Sequence, residues 1–270
     1  MRHIVSIVTT VGSLSLGLFV AGTGEALAKE THSPTVQATA PNAISPEIRK
    51  ALDRMANQLK SLTSLELRAD MTTEDVLDNG QKLQHSGVVT IDARKPDRFF
   101  ISVDSAQRTR RFYYDGKQVA VYAPTTGYYA MIPAPPTTRQ VLDDLANRLD
   151  VETPLADLLQ WGAAGVHTEG IKSALYAGPD RVGGQECDHY AFRQPGADWQ
   201  LWIRKGDTPL PCKLVIVNTD DPAQPQTTTV FNWTPNQQFT ESTFTFTPPA
   251  KAMRIQLGQA NTAAGKGSRP

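Results

Sequence analysis

Residues 88–103 read VVTIDARKPDRFFISV, and the architecture can be read outward from them. Val89, Ile91 and Ala93 alternate with Thr90, Asp92 and Arg94, and Lys95-Pro96-Asp97 then breaks the run. Phe99, Ile101 and Val103 resume the alternation on the far side. A period of two is the mark of a strand with one apolar face and one wet face. So short a break leaves no room for a crossover, and neighbours joined this way run antiparallel.

The same grammar extends outward from this pair. Towards the N-terminus, Leu65, Leu67 and Ala69 alternate with Glu66, Arg68 and Asp70, and Asp78-Asn79-Gly80-Gln81 makes a turn. Towards the C-terminus, Arg111 with Tyr113 and Phe112 with Tyr114 occupy the two faces of a strand. Asp115-Gly116 is a hairpin turn, followed by Val119 and Val121, then Tyr128, Ala130 and Ile132. Further strands are expected over Cys187 to Arg193, Trp199 to Arg204, Lys213 to Asn218 and Gln226 to Trp233, with Phe244 and Phe246 as a final pair before Pro248-Pro249.

Helical spacing appears in two places. Ser45-Pro46-Glu47 offers an N-cap, a first-turn proline and an early acid. Ile48, Leu52, Met55, Leu59 and Leu62 then form one apolar stripe. In mid-chain, Thr137 or Thr138 caps a segment in which Val141, Leu142, Leu145 and Leu149 share a face. Thr153-Pro154 caps a second short helix with Leu155, Leu158, Leu159 and Trp161, ended by Gly162. Both stripes must be buried, and the sheet is the available partner. The expected fold is α+β: a curled antiparallel sheet forming an unclosed β-barrel, with an N-terminal helix and two inserted helices covering the concave side.

The ends set the compartment. Met1-Arg2-His3 is basic, Ile4 to Val20 is apolar or small, and Ala26 and Ala28 stand where a signal peptidase reads small residues. That order predicts a signal peptide over 1–28, cleaved after Ala28, and a periplasmic protein. Residues 29–44 are rich in Thr, Pro, Ala and Ser and predict a disordered leader, and 258–270 predicts a disordered tail. The domain is expected at 45–257, with no integral membrane segment after cleavage. Lys and Arg number 27, as do Asp and Glu. That neutrality predicts no electrostatic footprint for nucleic acid or for an anionic membrane surface.

No sequence pattern for a catalytic nucleophile, a metal site, a phosphate loop or a cofactor stands out. Outside the expected signal peptide and leader the histidines are His85, His167 and His189. Asp188-His189 is the tempting pair, but neighbours on a strand face opposite ways, so His189 reads as a partly buried ring hydrogen-bonded in the sheet. Cys187 and Cys212 are the only cysteines. In an exported chain they point to a disulfide. A tight Pro195-Gly196 hairpin would lay strand 199–204 between them, roughly 10 Å apart and beyond bonding reach. The bond then needs the Gly206 to Pro211 connection to carry Cys212 to the edge beside Cys187.

An ordered set of motifs resembles the LolA/LolB-like superfamily of periplasmic lipoprotein carriers. The set is an N-terminal helix, Lys95-Pro96-Asp97-Arg98-Phe99, Tyr113-Tyr114-Asp115-Gly116-Lys117, Tyr122-Ala123-Pro124 and Phe244-x-Phe246-x-Pro248-Pro249. More closely, the chain is similar to an uncharacterised family of predicted periplasmic proteins within that superfamily. Gly127-Tyr128-Tyr129, Pro133-Ala134-Pro135-Pro136, Pro154-Leu155-Ala156-Asp157-Leu158, Cys187-Asp188-His189-Tyr190-Ala191-Phe192 and Asp198-Trp199-Gln200 carry that likeness. The resemblance implies an unclosed barrel with an apolar cavity for acyl chains under helical lids. The carriers have Arg before the proline of the basic-Pro motif. Here that residue is Lys95, with Arg94 on the opposite face.

The expected ligand is therefore hydrophobic, a lipid or lipoprotein acyl chain. Phe99, Ile101, Tyr113, Leu142, Leu145, Leu158 and Trp161 are expected to wall the cavity, with Lys95 and Arg98 meeting a head group at the rim. Phe99, Tyr113, Tyr122, Tyr128, Trp161, Trp199 and Trp202 are the aromatic candidates for binding, although aromatics on a curled sheet more often serve as core. The alternative is an envelope protein-interaction module without a small ligand. A hydrolase comes third, for want of a nucleophile beside a base.

Overall fold

The computed structural model describes residues 44–106, 108–148 and 168–256, and between the last two spans Leu155, Leu158, Trp161, Gly165 and Val166. The expected signal peptide, most of the leader and the tail fall outside the described residues. So do Leu149, the Thr153-Pro154 cap, Leu159, Gly162 and His167.

Among the described residues, twelve strands form one sheet. They are β1 (Ser64–Val76), β2 (Lys82–Arg94), β3 (Arg98–Ser105), β4 (Thr109–Tyr114), β5 (Gln118–Ala123), β6 (Tyr128–Pro133), β7 (Ser173–Val182), β8 (Gln185–Gln194), β9 (Ala197–Arg204), β10 (Pro211–Asn218), β11 (Gln226–Pro235) and β12 (Met253–Arg254). The order is β12-β6-β5-β4-β3-β2-β1-β11-β10-β9-β8-β7. Two meanders, β1 to β6 and β7 to β11, are thus stitched together where β1 pairs antiparallel with β11, from Leu65 opposite Pro235 to Thr73 opposite Thr227. The sheet is curled and does not close, so β12 and β7 remain its edges. All pairs are antiparallel except β12 with β6.

Helix α1 (Pro46–Ser61) starts as expected, with the Ser45 side chain accepting a hydrogen bond from Ile48 N at 3.3 Å. Its Ile48, Leu52, Met55, Ala56 and Leu59 are buried, each large side chain contributing about 1.5–3 kcal/mol. All but Ala56 join one core with Leu65, Leu67, Val89, Ile91, Phe99 and Ile101 of the sheet. This fixes an inner face, under the helices, and an outer face. Helix α2 (Thr138–Arg148) follows Thr137, whose hydroxyl accepts from Gln140 N and whose carbonyl accepts from Val141 N. Thr137 is therefore the cap. Leu158 and Trp161 are helical and buried.

Two expectations need correcting. Strand β7 has no counterpart among the expected strands, because its sequence SALYAGPDRV does not alternate. It lies at an edge, where Gly178 (φ +106°) and a register shift between Tyr176 and Gly178 accommodate Pro179. Phe244 and Phe246 do not extend the sheet: Glu241–Phe244 is a short helix, α3, lying on the outer face, and the added strand is Met253–Arg254 beyond the prolines. The expected disulfide is present. Strand β9 does separate the two cysteine strands, yet Cys187 and Cys212 are bonded, with Cα atoms 6.9 Å apart. A bulge between Pro211 and Lys213, opposite Ile203 and Trp202, turns Cys212 so that the bond reaches Cys187 across the last residues of β9, where Cys187 stands opposite Arg204.

Candidate functional site

The site is the inner face where the mid-chain insert meets β1 to β6. Register decides which side chains reach it. Phe99 stands opposite Tyr114 and Ile101 opposite Phe112, while Phe100 stands opposite Tyr113. Phe99, Ile101, Phe112 and Tyr114 therefore point inward together, and all four are buried. Tyr113 points outward, against Phe100 and Phe246 with ring centroids 4.9 and 5.2 Å away. It is the one expected wall residue on the other side of the sheet. Both faces of that strand are aromatic, so sequence alone did not choose between them.

The insert supplies the cover. Val141, Leu145, Leu158 and Trp161 pack into the inner core, and Leu142 is buried beside them. Trp161 lies 6.5 Å from Trp199, which stacks on Phe192 at 3.9 Å. Two cavities flank this cover. One, about 40 Å³, is lined by Val119, Ile132, Ala134, Val141 and Leu145, with Asp144 at its margin. The other, about 10 Å³, is lined by Leu59, Leu65, Ile91, Lys95, Leu158 and Trp233. Each takes at least one wall residue from the insert.

The insert is tethered at its start. Tyr114 Oη donates to Pro135 O at 2.6 Å, and Thr138 donates to Pro96 O through its amide at 3.1 Å and its hydroxyl at 3.0 Å. Burial, helped by the Asp97 charge, holds the Tyr114 phenol above its ordinary pKa, so it stays a neutral donor.

The two rim cations are engaged differently. Lys95 Nζ donates to Leu59 O at 2.7 Å and Lys60 O at 3.3 Å, closing the C-terminus of α1. Burial depresses its pKa. Arg98 lies on the outer face, paired with Asp97 at 2.9 Å and Glu241 at 3.2 Å. It packs so closely over the Asp115-Gly116 turn that a Cβ on Gly116 (φ +86°) would lie 2.1 Å from its guanidinium. Arg94 also pairs with Glu241.

The histidine singled out in the sequence is structural. His189 stacks on Trp202 at 4.0 Å and bonds Gln200 at 2.9 Å, while Asp188 accepts from Tyr176 on the other face. Trp202 packs with the disulfide in a small outer cluster. Among the described residues, no three His, Cys, Asp or Glu side chains group to hold a metal, and no helix is long and apolar enough to cross a membrane.

Among solved structures, the chain is similar to the lipoprotein LppX of Mycobacterium tuberculosis, at 11% identity and TM-score 0.45, over 73% of this chain and 99% of that one. It is similar to LprF of Mycobacterium bovis, at 13% identity and TM-score 0.43, over 77% and 99%. It is also similar to a LolA superfamily protein of Nitrosomonas europaea, at 9% identity and TM-score 0.36, over 76% and 99%. No curated protein matches the chain. A family model described as a predicted periplasmic protein (DUF2092) matches residues 49–258.

Proposed function

For a chain that belongs to the DUF2092 family of predicted periplasmic proteins, we propose the role of a periplasmic binding protein that holds a lipid or lipoprotein acyl chain on the inner face of its sheet. The observation that carries the reading is the pair of apolar cavities separated by the insert. Both take part of their lining from it, Leu145 in one and Leu158 in the other. Lifting the insert joins them across Phe99 and Ile101 into one slot.

Size argues that the insert has to move. Cavities of about 40 and 10 Å³ fall far short of the roughly 300 Å³ of a typical ligand pocket. On this proposal the described state is the closed one. An acyl chain entering beneath Leu142, Leu145, Leu158 and Trp161 would gain about 0.8 kcal/mol per buried methylene. That gain offsets the cost of displacing the cover. Lys95 lines the smaller cavity and has donor capacity beyond its two helix carbonyls, which suits it to meet a polar head group. Arg98, on the outer face, is placed to act only at the rim.

The test is native mass spectrometry of the protein purified from periplasm, joined to displacement of a fluorescent fatty acid. Co-purifying acyl chains, and fatty-acid binding weakened at least tenfold by Leu145→Trp with the fold intact, are expected. An apo mass that added lipids leave unchanged would sink the reading. That outcome would favour the second one, an envelope protein-interaction module, which the small volume of the closed cavities supports.

A further inference from the structure

The chain balances 27 basic against 27 acidic residues, but the balance is not local. From Gly116 to Leu142 there is no Asp or Glu, and from Ser242 to Pro270 there is none either. These stretches are far apart in sequence. The fold brings them together at one edge of the sheet, where β12 pairs with β6, Met253 opposite Tyr128 and Arg254 opposite Tyr129. The other edge is mixed: Glu169, Asp180, Glu186 and Asp188 lie there among Lys172, Arg181, Arg193 and Lys205.

The acid-free edge is also apolar. Met253, Ile255 and Tyr128 are 52%, 42% and 42% exposed, and they neighbour one another through the β12–β6 pairing and the Ile255 N to Tyr129 O bond. Lys251 and Arg254 flank them, both exposed, and neither forms an ion pair among the described residues. The chain continues from this edge for fourteen residues that hold Lys266 and Arg269 and no acid. Exposed Met, Ile and Tyr side chains ringed by cations match a bilayer interface, where apolar and aromatic groups enter the headgroup boundary and cations meet anionic lipid. The opposite edge also exposes Leu175 and Tyr176, at 42% and 47%, but there among acids.

We propose that this edge, built from Tyr128, Lys251, Met253, Arg254 and Ile255, docks the protein onto the anionic surface of a phospholipid bilayer. The inference goes beyond ligand binding: it says where the protein meets the reservoir of its ligand, and it can fail while that reading stands. Whole-chain neutrality, which predicts no such footprint, averages over an asymmetry that only the sheet order reveals.

The experiment is flotation of the mature protein with vesicles of phosphatidylcholine containing or lacking 30% phosphatidylglycerol. At low salt the protein floats with the anionic vesicles and not with the neutral ones. Lys251→Glu with Arg254→Glu, or 0.5 M salt, lowers the floated fraction at least fivefold. Met253→Ser with Ile255→Ser does the same, and none of these variants changes fatty-acid binding in solution. Equal flotation of wild type and variants overturns the proposal. So does a wild type that ignores anionic vesicles and instead forms dimers that Ile255→Ser dissolves, which would make this edge a contact between copies.

Discussion

Single side chains in this protein are governed by which face of the sheet they occupy. Asp92 is the clearest case. It projects on the outer face opposite Glu66, with Arg94 two residues along already paired to Glu241. Burial, reinforced by the Glu66 charge, raises its pKa to about 6. A carboxyl whose folded pKa lies above its unfolded value favours folding when protonated. Stability is therefore lost as pH climbs from about 4 to about 6. We expect Asp92→Asn to raise stability at pH 7 by about 1 kcal/mol, a figure reduced for solvent screening of a half-buried group, and to flatten that slope. Urea unfolding at pH 4.5 and 7.5 checks it, and an unchanged slope would locate the titration elsewhere. The same question of face misplaced Tyr113. Neighbouring aromatics at 112, 113 and 114 carry no signal of which way the strand turns, and the register with Phe99 and Ile101 supplies it.

At the scale of elements, two tethers invite measurement. The hydrogen bond from Tyr114 to Pro135 holds the start of the insert against β4. Tyr114→Phe keeps the buried ring and removes the bond, so it should cost about 1 kcal/mol. It should also speed amide exchange in α2 and shorten the residence of a bound acyl chain several-fold. A variant with wild-type exchange in α2 would show that the helix is held by its apolar stripe alone. The disulfide ties β8 to β10 across β9 and spans 25 residues. On the chain-entropy account such a loop contributes about 3 kcal/mol. Cys187→Ser with Cys212→Ser is expected to lose roughly that amount in chemical denaturation, and thiol titration of the untreated protein should find no free cysteine.

Over the whole molecule, the C-terminal segment acts as a strap across the outer face. Glu241 meets Arg94 and Arg98, Phe244 is fully buried, Phe246 sits among Tyr113, Tyr122 and Tyr129, and β12 then covers part of the β6 edge. Phe244→Ala should cost about 3–5 kcal/mol. A loss below 1 kcal/mol in urea unfolding would mean the strap does not hold the sheet. The strap reads as a strand in the sequence because Phe-x-Phe has a period of two, yet its aromatics pack against the outer face of a sheet that is already paired. Local spacing is enough to give the periodicities: the amphipathic helix at 46–61, ten of the twelve described strands, the turns at Gly80 and Gly116, and the apolar residues of the insert. Each follows from spacing along the chain, because backbone geometry converts spacing directly into a face. How the faces meet is set by pairing between distant segments. Pairing β1 with β11 joins two meanders whose partners lie more than 150 residues apart, and the bulge at Cys212 permits a bond that regular strand spacing forbids. The gathering of two acid-free stretches at one edge belongs to the same class. Such contacts depend on register and curl, which no short stretch of sequence encodes.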